Sequence, residues 1–108
     1  MPSALSPTST ILGRRMRARR EDLGWSQEKV GVLIGIDESA SRARISRYEL
    51  GTHEPPVKTA RLIAEALQVP LAYLYCEDDD AALLLLSLGT MSKNKRAKAL
   101  AHWLAEIA

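Results

Sequence analysis

The chain has 108 residues, 46% of them apolar and 26% charged, with a net charge of +2, enough for one small domain with one core and not for two. Its longest apolar run, Ala81 to Leu86, is six residues, far short of the ~20 that cross a bilayer. The single cysteine, Cys76, has no partner within the chain, so a disulfide-stapled class is excluded along with a membrane-spanning one, and a reducing compartment is expected. Aromatics are scarce, leaving Leu, Ile, Val and Ala to build the core, and with few β-branched runs the mixture points to an all-α fold. No apolar segment precedes the Arg-rich stretch near the N-terminus, so a secretory signal is not expected and the cytoplasm is the expected location.

Residues 1–10, rich in Pro, Ser and Thr, read as a disordered arm. A first helix is predicted from Ile11 to Leu23, with Leu12, Met16 and Leu23 on one stripe interrupted by Arg19, and Gly24 as its stop. Ser26 caps a second helix, Gln27 to Ile34, whose apolar positions are Val30, Leu33 and Ile34. Gly35 ends it, and Ile36 is the anchor of the turn. Asp37, Ser39 and Ser41 each offer a cap for a third helix that runs to Leu50 and is stopped by Gly51. Pro56, in the first turn, opens a fourth helix to Gln68. A short fifth spans Pro70 to Tyr75. Two more follow the acidic run Glu77–Asp80: Ala81–Leu88, and Ser92–Ile107 with Ser92 as cap.

Charge is unevenly spread: residues 1–51 sum to +3, residues 52–80 to −4 and residues 81–108 to +3. A basic first half is weak evidence for a polyanion partner until the faces are known. Two short helices joined across a glycine, the latter rich in Arg and Ser, have the sequence shape of a helix-turn-helix. Gly31 lies mid-helix, where it costs ~1 kcal/mol against Ala, as expected where another backbone approaches closely. With Ile45 facing inward, Arg42, Arg44, Ser46 and Arg47 cover the free surface of the third helix. Such a surface suits a major groove, where Arg reads guanine O6/N7 bidentately or holds a phosphate.

The run Gly24-Trp25-Ser26-Gln27-Glu28, then Gly31, Ile34-Gly35-Ile36, Ile45-Ser46-Arg47-Tyr48-Glu49 and Gly51, resembles the Cro/CI-type (xenobiotic-response-element-like) helix-turn-helix transcriptional regulators. Pro55, Ile63-Ala64-Glu65-Ala66-Leu67, Val69 and Leu74 extend the likeness to about residues 11–75. The resemblance implies a five-helix lambda-repressor-like DNA-binding domain over residues 11–76, with residues 77–108 left as a C-terminal helical extension. It also implies roles. Gln27 matches a residue that contacts the DNA backbone and braces the recognition helix. Arg42, Ala43, Arg44 and Arg47 match recognition-helix positions facing base edges and phosphates. Thr52 and His53 match a loop whose backbone N–H groups approach a phosphate, and Arg20 with Glu49 matches a structural ion pair. The family spaces its turn glycine and isoleucine by about five residues, whereas nine lie between Gly35 and Ile45 here. The extra four, Asp37–Ala40 in the simplest alignment, either lengthen the recognition helix or lengthen the turn. Ser39 and Ser41 thereby join the DNA-contacting candidates. Val32 and Leu33, in slots usually polar, are expected to lie beneath the insertion.

Other polar clusters have plainer readings. Arg14 to Arg20 reads as a solvated face of the first helix rather than a phosphate patch, with Arg20 kept for Glu49. Glu77–Asp80 reads as acids complementing a helix N-terminus rather than a cation site. His53 and His102 have no ligand-type residue at metal spacing, and nothing beside Cys76 would activate it. No nucleophile–base pair or phosphate-cradling glycine loop is present, so neither an enzyme nor a cofactor is expected. Leu83 to Leu86 point around almost the whole circumference of a helix, and Leu100, Trp103, Leu104 and Ile107 form a second stripe. Self-association through Leu83, Leu84, Leu86, Leu100, Trp103, Leu104 and Ile107 is therefore expected, because groove readers commonly pair on two-fold sites. The expected whole is a homodimeric repressor on an inverted repeat in double-stranded DNA, without membrane or small-molecule effector domain. The rival reading is an antitoxin-type interaction module whose C-terminal helices hold a partner protein. An RNA-binding reading lacks the aromatic stacking platforms.

Overall fold

The computed structural model describes residues 9–108, so the arm expected over 1–10 lies, Ser9 and Thr10 aside, outside the described residues. Among the described residues the chain is all helical: α1 Ile11–Leu23, α2 Gln27–Leu33, α3 Glu38–Leu50, α4 Val57–Leu67, α5 Leu71–Tyr75, α6 Asp79–Thr90 and α7 Lys93–Ile107. Five of these begin where a polar side chain accepts a free first-turn amide. Thr10 accepts from Gly13 N and Ser26 from Lys29 N, both at 3.0 Å. Asp37 accepts from Ser39 N at 3.0 Å, Asp78 from Ala81 N at 2.8 Å and Ser92 from Lys95 N at 3.2 Å. α4 and α5 start after Pro56 and Pro70 without such a bond. Pro56 is thus the cap residue rather than a first-turn residue. α1 and α3 end on Gly24 and Gly51 in the left-handed region, at φ 71° and 79°, where a side chain would be strained.

One apolar cluster joins Leu12 and Met16 of α1, Val30 of α2, Ile45 and Tyr48 of α3, Ala60, Ile63, Ala64 and Leu67 of α4, Tyr73 and Leu74 of α5, and Ala82 of α6. Each large aliphatic taken from water here contributes on the order of 1.5–3 kcal/mol. α1 runs through the middle, packed on α3, α4 and α5. Its backbone comes so close to the end of α3 that a Cβ on Gly13 would stand 2.5 Å from Glu49 O and 2.7 Å from Tyr48 O.

The arginines of α1 are not the solvated face that their number suggests. Arg19 Nε donates to Leu67 O at 2.9 Å, closing the end of α4. Arg20 donates to the Glu49 carboxylate at 2.7 and 3.0 Å and to Trp25 O at 2.9 Å. Arg15 Nε donates to Cys76 O at 3.0 Å, and its Nη2 lies 2.9 Å from Asp79 Oδ1. Arg14 is exposed, and Arg17 pairs with Glu21 one turn on at 3.1 Å.

The C-terminal helices differ from each other. α6 packs on the body through Ala82, and Leu85 and Leu86 lie half-buried against the same core. The break placed between residues 76 and 77 therefore does not coincide with a break in the core. Leu86, assigned above to a self-association face, is turned inward, while Leu83 and Leu84 are exposed. α7 has no buried residue, and Leu104 and Ile107 are 64% and 80% exposed. Among the described residues, no helix is long and apolar enough to cross a membrane, and no cluster of His, Cys, Asp or Glu could hold a metal ion.

Candidate nucleic-acid interface

α2 and α3 pack closely against each other. Gly31 lies directly on the Cα, Cβ and Oγ of Ser41, where an added Cβ has no room. The turn between them is short: Ile36 N donates to Gly31 O at 2.9 Å, and Gly35 takes φ 94°. α3 starts at once, at Glu38. Of the four extra residues, Asp37 is the cap and Glu38, Ser39 and Ala40 open α3, so the extra length goes to the helix and not to the turn. At ~100° per residue, four residues advance a helix by ~400°. The inner and outer faces so stay nearly in register.

The inner face of α3 is Ser41, Ile45, Tyr48 and Glu49, all buried. Ser41 is 0% exposed, and its hydroxyl donates to Ile36 O at 3.0 Å and Asp37 O at 2.9 Å. It is a packing residue beneath Gly31, not a groove contact. The outer face presents Arg42, Ala43, Arg44, Arg47 and Ser39, with Ser46 half-buried at its edge. At ~100° per residue, Ala43 lies midway between Arg42 and Arg44, each ~100° to one side of it, with Arg47 ~40° from Ala43. A small residue in the middle of the face and guanidinium groups around it allow close approach to a flat polyanionic surface.

Ser39 donates its hydroxyl to Asp37, in addition to its backbone N–H. These hydrogen bonds, the hydroxyl first, hold the Asp37 carboxyl below the usual carboxylate range. The start of α3 thereby carries a fixed anionic cap, which suits the helix N-terminus. Val32 and Leu33 are not covered by the added turn; both are about half exposed.

The orientation of the outer face is set from the other end of α3. Glu49 is 3% exposed; it accepts Arg20 through two nitrogens, and Gln27 Nε2 at 3.1 Å. Donating to the Glu49 carboxylate raises the Arg20 pKa above its ordinary value. Gln27 thus braces α2 against the end of α3. Beside it, Arg17, Arg20, Ser26, Gln27, Glu28 and Arg42 line an open depression of about 550 Å³. Thr52 and His53 are exposed beyond the end of α3. Their backbone amides both donate to Arg47 O, at 3.0 and 3.3 Å. Those N–H groups close the helix and do not face outward, so only the side chains of Thr52 and His53 remain for a ligand.

Three positioning features escaped the sequence reading: Arg15, Arg19, and Lys29 lying 4.4 Å from the centroid of the Trp25 ring. Gly13 was legible in principle. It is a glycine in the first turn of a helix at a close approach, a signal akin to the one that singled out Gly31.

Residues 16–74 match the helix-turn-helix family. Over 70 residues the chain is 34% identical to an uncharacterized HTH-type transcriptional regulator of Sinorhizobium medicae (strain WSM419) and to one of Rhizobium meliloti (strain 1021). These matches cover 65% of this chain and 48% of each relative, so the chain spans about half the length of the curated relatives it matches. The crystal structure of the transcriptional regulator BswR is similar with a TM-score of 0.78 and 37% sequence identity, covering 87% of this chain and 92% of that one.

Proposed function

The chain belongs to the helix-turn-helix family, and we propose that it is a cytoplasmic homodimeric repressor that reads an inverted repeat in double-stranded DNA with the outer face of α3. The observation that carries this is the division of α3. One side is wholly buried and fixed through Glu49, Arg20 and Gln27, and the other presents Arg42, Ala43, Arg44 and Arg47 to solvent.

With α3 in the major groove, Arg42 and Arg44 address base edges, where a bidentate contact to guanine is worth ~1–3 kcal/mol of discrimination. Arg47 and the side chains of Ser46, Gln27, Thr52 and His53 address phosphates and edge positions, while the Ser39 hydroxyl stays on Asp37. Phosphate contacts supply most of the affinity and make it salt-dependent. Occupying a promoter in this way would block transcription, and the reading calls for no cofactor and no catalysis.

The partner is a second copy. α7 offers Leu100, Trp103, Leu104 and Ile107 on one stripe without burying any of them, and Leu83 and Leu84 of α6 add to the exposed apolar surface. Pairing two such surfaces removes them from water and sets two recognition helices at a fixed separation, as two half-sites about one helical turn (~34 Å) apart require. Selection of bound duplexes from random sequence, at stated salt, tests the reading. It should enrich a two-fold symmetric site. A pool that stays random while binding persists would refute sequence-specific recognition.

A further inference from the structure

A dimer can discriminate half-site spacing only if its dimerisation element is rigidly joined to its recognition helix. The connection runs through α1. α1 is fastened to the end of α3 twice, by Arg20 on Glu49 at 2.7 Å and, about two turns earlier, by Gly13 packed against Glu49 O and Tyr48 O. Just over one turn before Arg20 on the same helix, Arg15 reaches the other way. Its Nε donates to Cys76 O at 3.0 Å, and its Nη2 donates to Glu77 O at 3.4 Å and to Asp79 at 2.9 Å. Its guanidinium carbon also stands 6.0 Å from the centroid of the Tyr73 ring. One planar cation thus spans the end of α5, the connecting residues and the first turn of α6.

The two partners of this clasp differ in burial: the Arg15 side chain is 15% exposed, the Asp79 side chain 88%. A surface ion pair of that kind is worth little by itself. The carbonyls of Cys76 and Glu77 are what give the clasp its geometry, because a guanidinium can meet several acceptors at fixed angles and an ammonium cannot.

We propose that Arg15 is a positioning residue for DNA recognition: it locks the start of α6 to α1 and thereby sets the half-site spacing that the dimer accepts. This rests on the homodimeric, DNA-binding reading above. Arg15 itself does not touch DNA. α1 acts as a strut, with Glu49 at one joint and the Cys76–Asp79 segment at the other.

The test uses the full-length chain, its Arg15→Gln and Arg15→Lys variants, and an operator obtained by selection from random duplexes. Operators with two base pairs added between half-sites turn the second half-site by about 70° and shift it by ~7 Å. The wild-type chain should lose roughly tenfold or more in affinity on them, because the second half-site no longer adds avidity. Arg15→Gln and Arg15→Lys should both cut that discrimination to under about threefold, while binding to a single half-site and dimer sedimentation stay within about twofold of wild type. Melting curves confirm that the variants are folded; a variant that is unfolded at the assay temperature overturns the proposal by making Arg15 a requirement of the fold itself. Variants that keep wild-type spacing discrimination overturn it too. So does a loss of half-site and full-site affinity alike in Arg15→Gln that Arg15→Lys restores, which would make Arg15 a phosphate contact. A wild-type chain that sediments as a monomer removes the dimer reading and this inference together, whereas the other outcomes leave that reading standing.

Discussion

Removing the Glu49 carboxylate should be among the most damaging single changes in the protein. Glu49 is 3% exposed and accepts two hydrogen bonds from Arg20 and one from Gln27. In Glu49→Ala the Arg20 side chain, only 12% exposed, loses its main counter-charge where water reaches it poorly. Breaking a buried pair from one side costs about 3–5 kcal/mol, because the other charge is left uncompensated. At ~4 °C or more of melting temperature per kcal/mol for a chain of about this size, the drop is roughly 12–20 °C. Glu28→Ala, at an exposed position of α2, is the control and should stay within ~0.5 kcal/mol, about 2 °C. Thermal unfolding followed by circular dichroism, with urea titrations for the free energies, measures both. A cycle adding Arg20→Met should recover part of the loss, since the double variant strands no charge. Glu49→Ala melting together with Glu28→Ala would refute the claim that this pair fastens α1 to α3.

Gly31→Ala should destabilise by roughly 1–3 kcal/mol through overpacking on Ser41, although Ala is ~1 kcal/mol better than Gly in a free helix interior; a urea midpoint at or above wild type would contradict the close approach. Leu104→Asp combined with Ile107→Asp should leave the melting of the body within a few degrees, because α7 buries nothing, yet abolish self-association, which sedimentation at tens of micromolar reads directly. For Asp37, the folded-state pKa lies below the ordinary value. Its contribution is therefore complete above about pH 4 and is lost as pH falls through the lower folded value. Asp37→Asn should remove that small part of the acid limb of a stability–pH curve, and an unchanged limb would show that the Ser39 bonds do not form in solution.

How much of this was legible depended on the range of the interaction. Ser26 and Ser92 cap helices through amides three residues away, so composition and order suffice to place them, whereas for α3 they leave Asp37, Ser39 and Ser41 as equal candidates. Gly31 and Gly51 were legible because a helix interior and a helix stop make distinct demands on glycine. Ser41 misled: a serine on a helix can satisfy its hydroxyl on the preceding turn, as it does on Asp37 O, and can then be buried as a small residue. Arg15 and Arg19 bond to carbonyls 61 and 48 residues away, and no local pattern distinguishes such an arginine from a solvated one. Thr52 and His53 were expected to offer backbone N–H groups to a phosphate because they match such a loop in the family they resemble. The capping of Arg47 O by their amides belongs to the geometry of the helix end. The leucine run was half legible. Four consecutive leucines cannot all face one way, but which two turn inward depends on how α6 seats Ala82 in the core.

The central claim is that the outer face of α3 reads base sequence, and Arg44→Ala tests it most directly. Binding of wild type and variant should be measured on the selected operator and on random duplex, at the same salt. The account predicts a loss of about 1–3 kcal/mol on the operator, relaxed preference at particular base pairs, and a much smaller change on random DNA. An equal loss on both would make Arg44 a phosphate contact and would contradict base readout by this face.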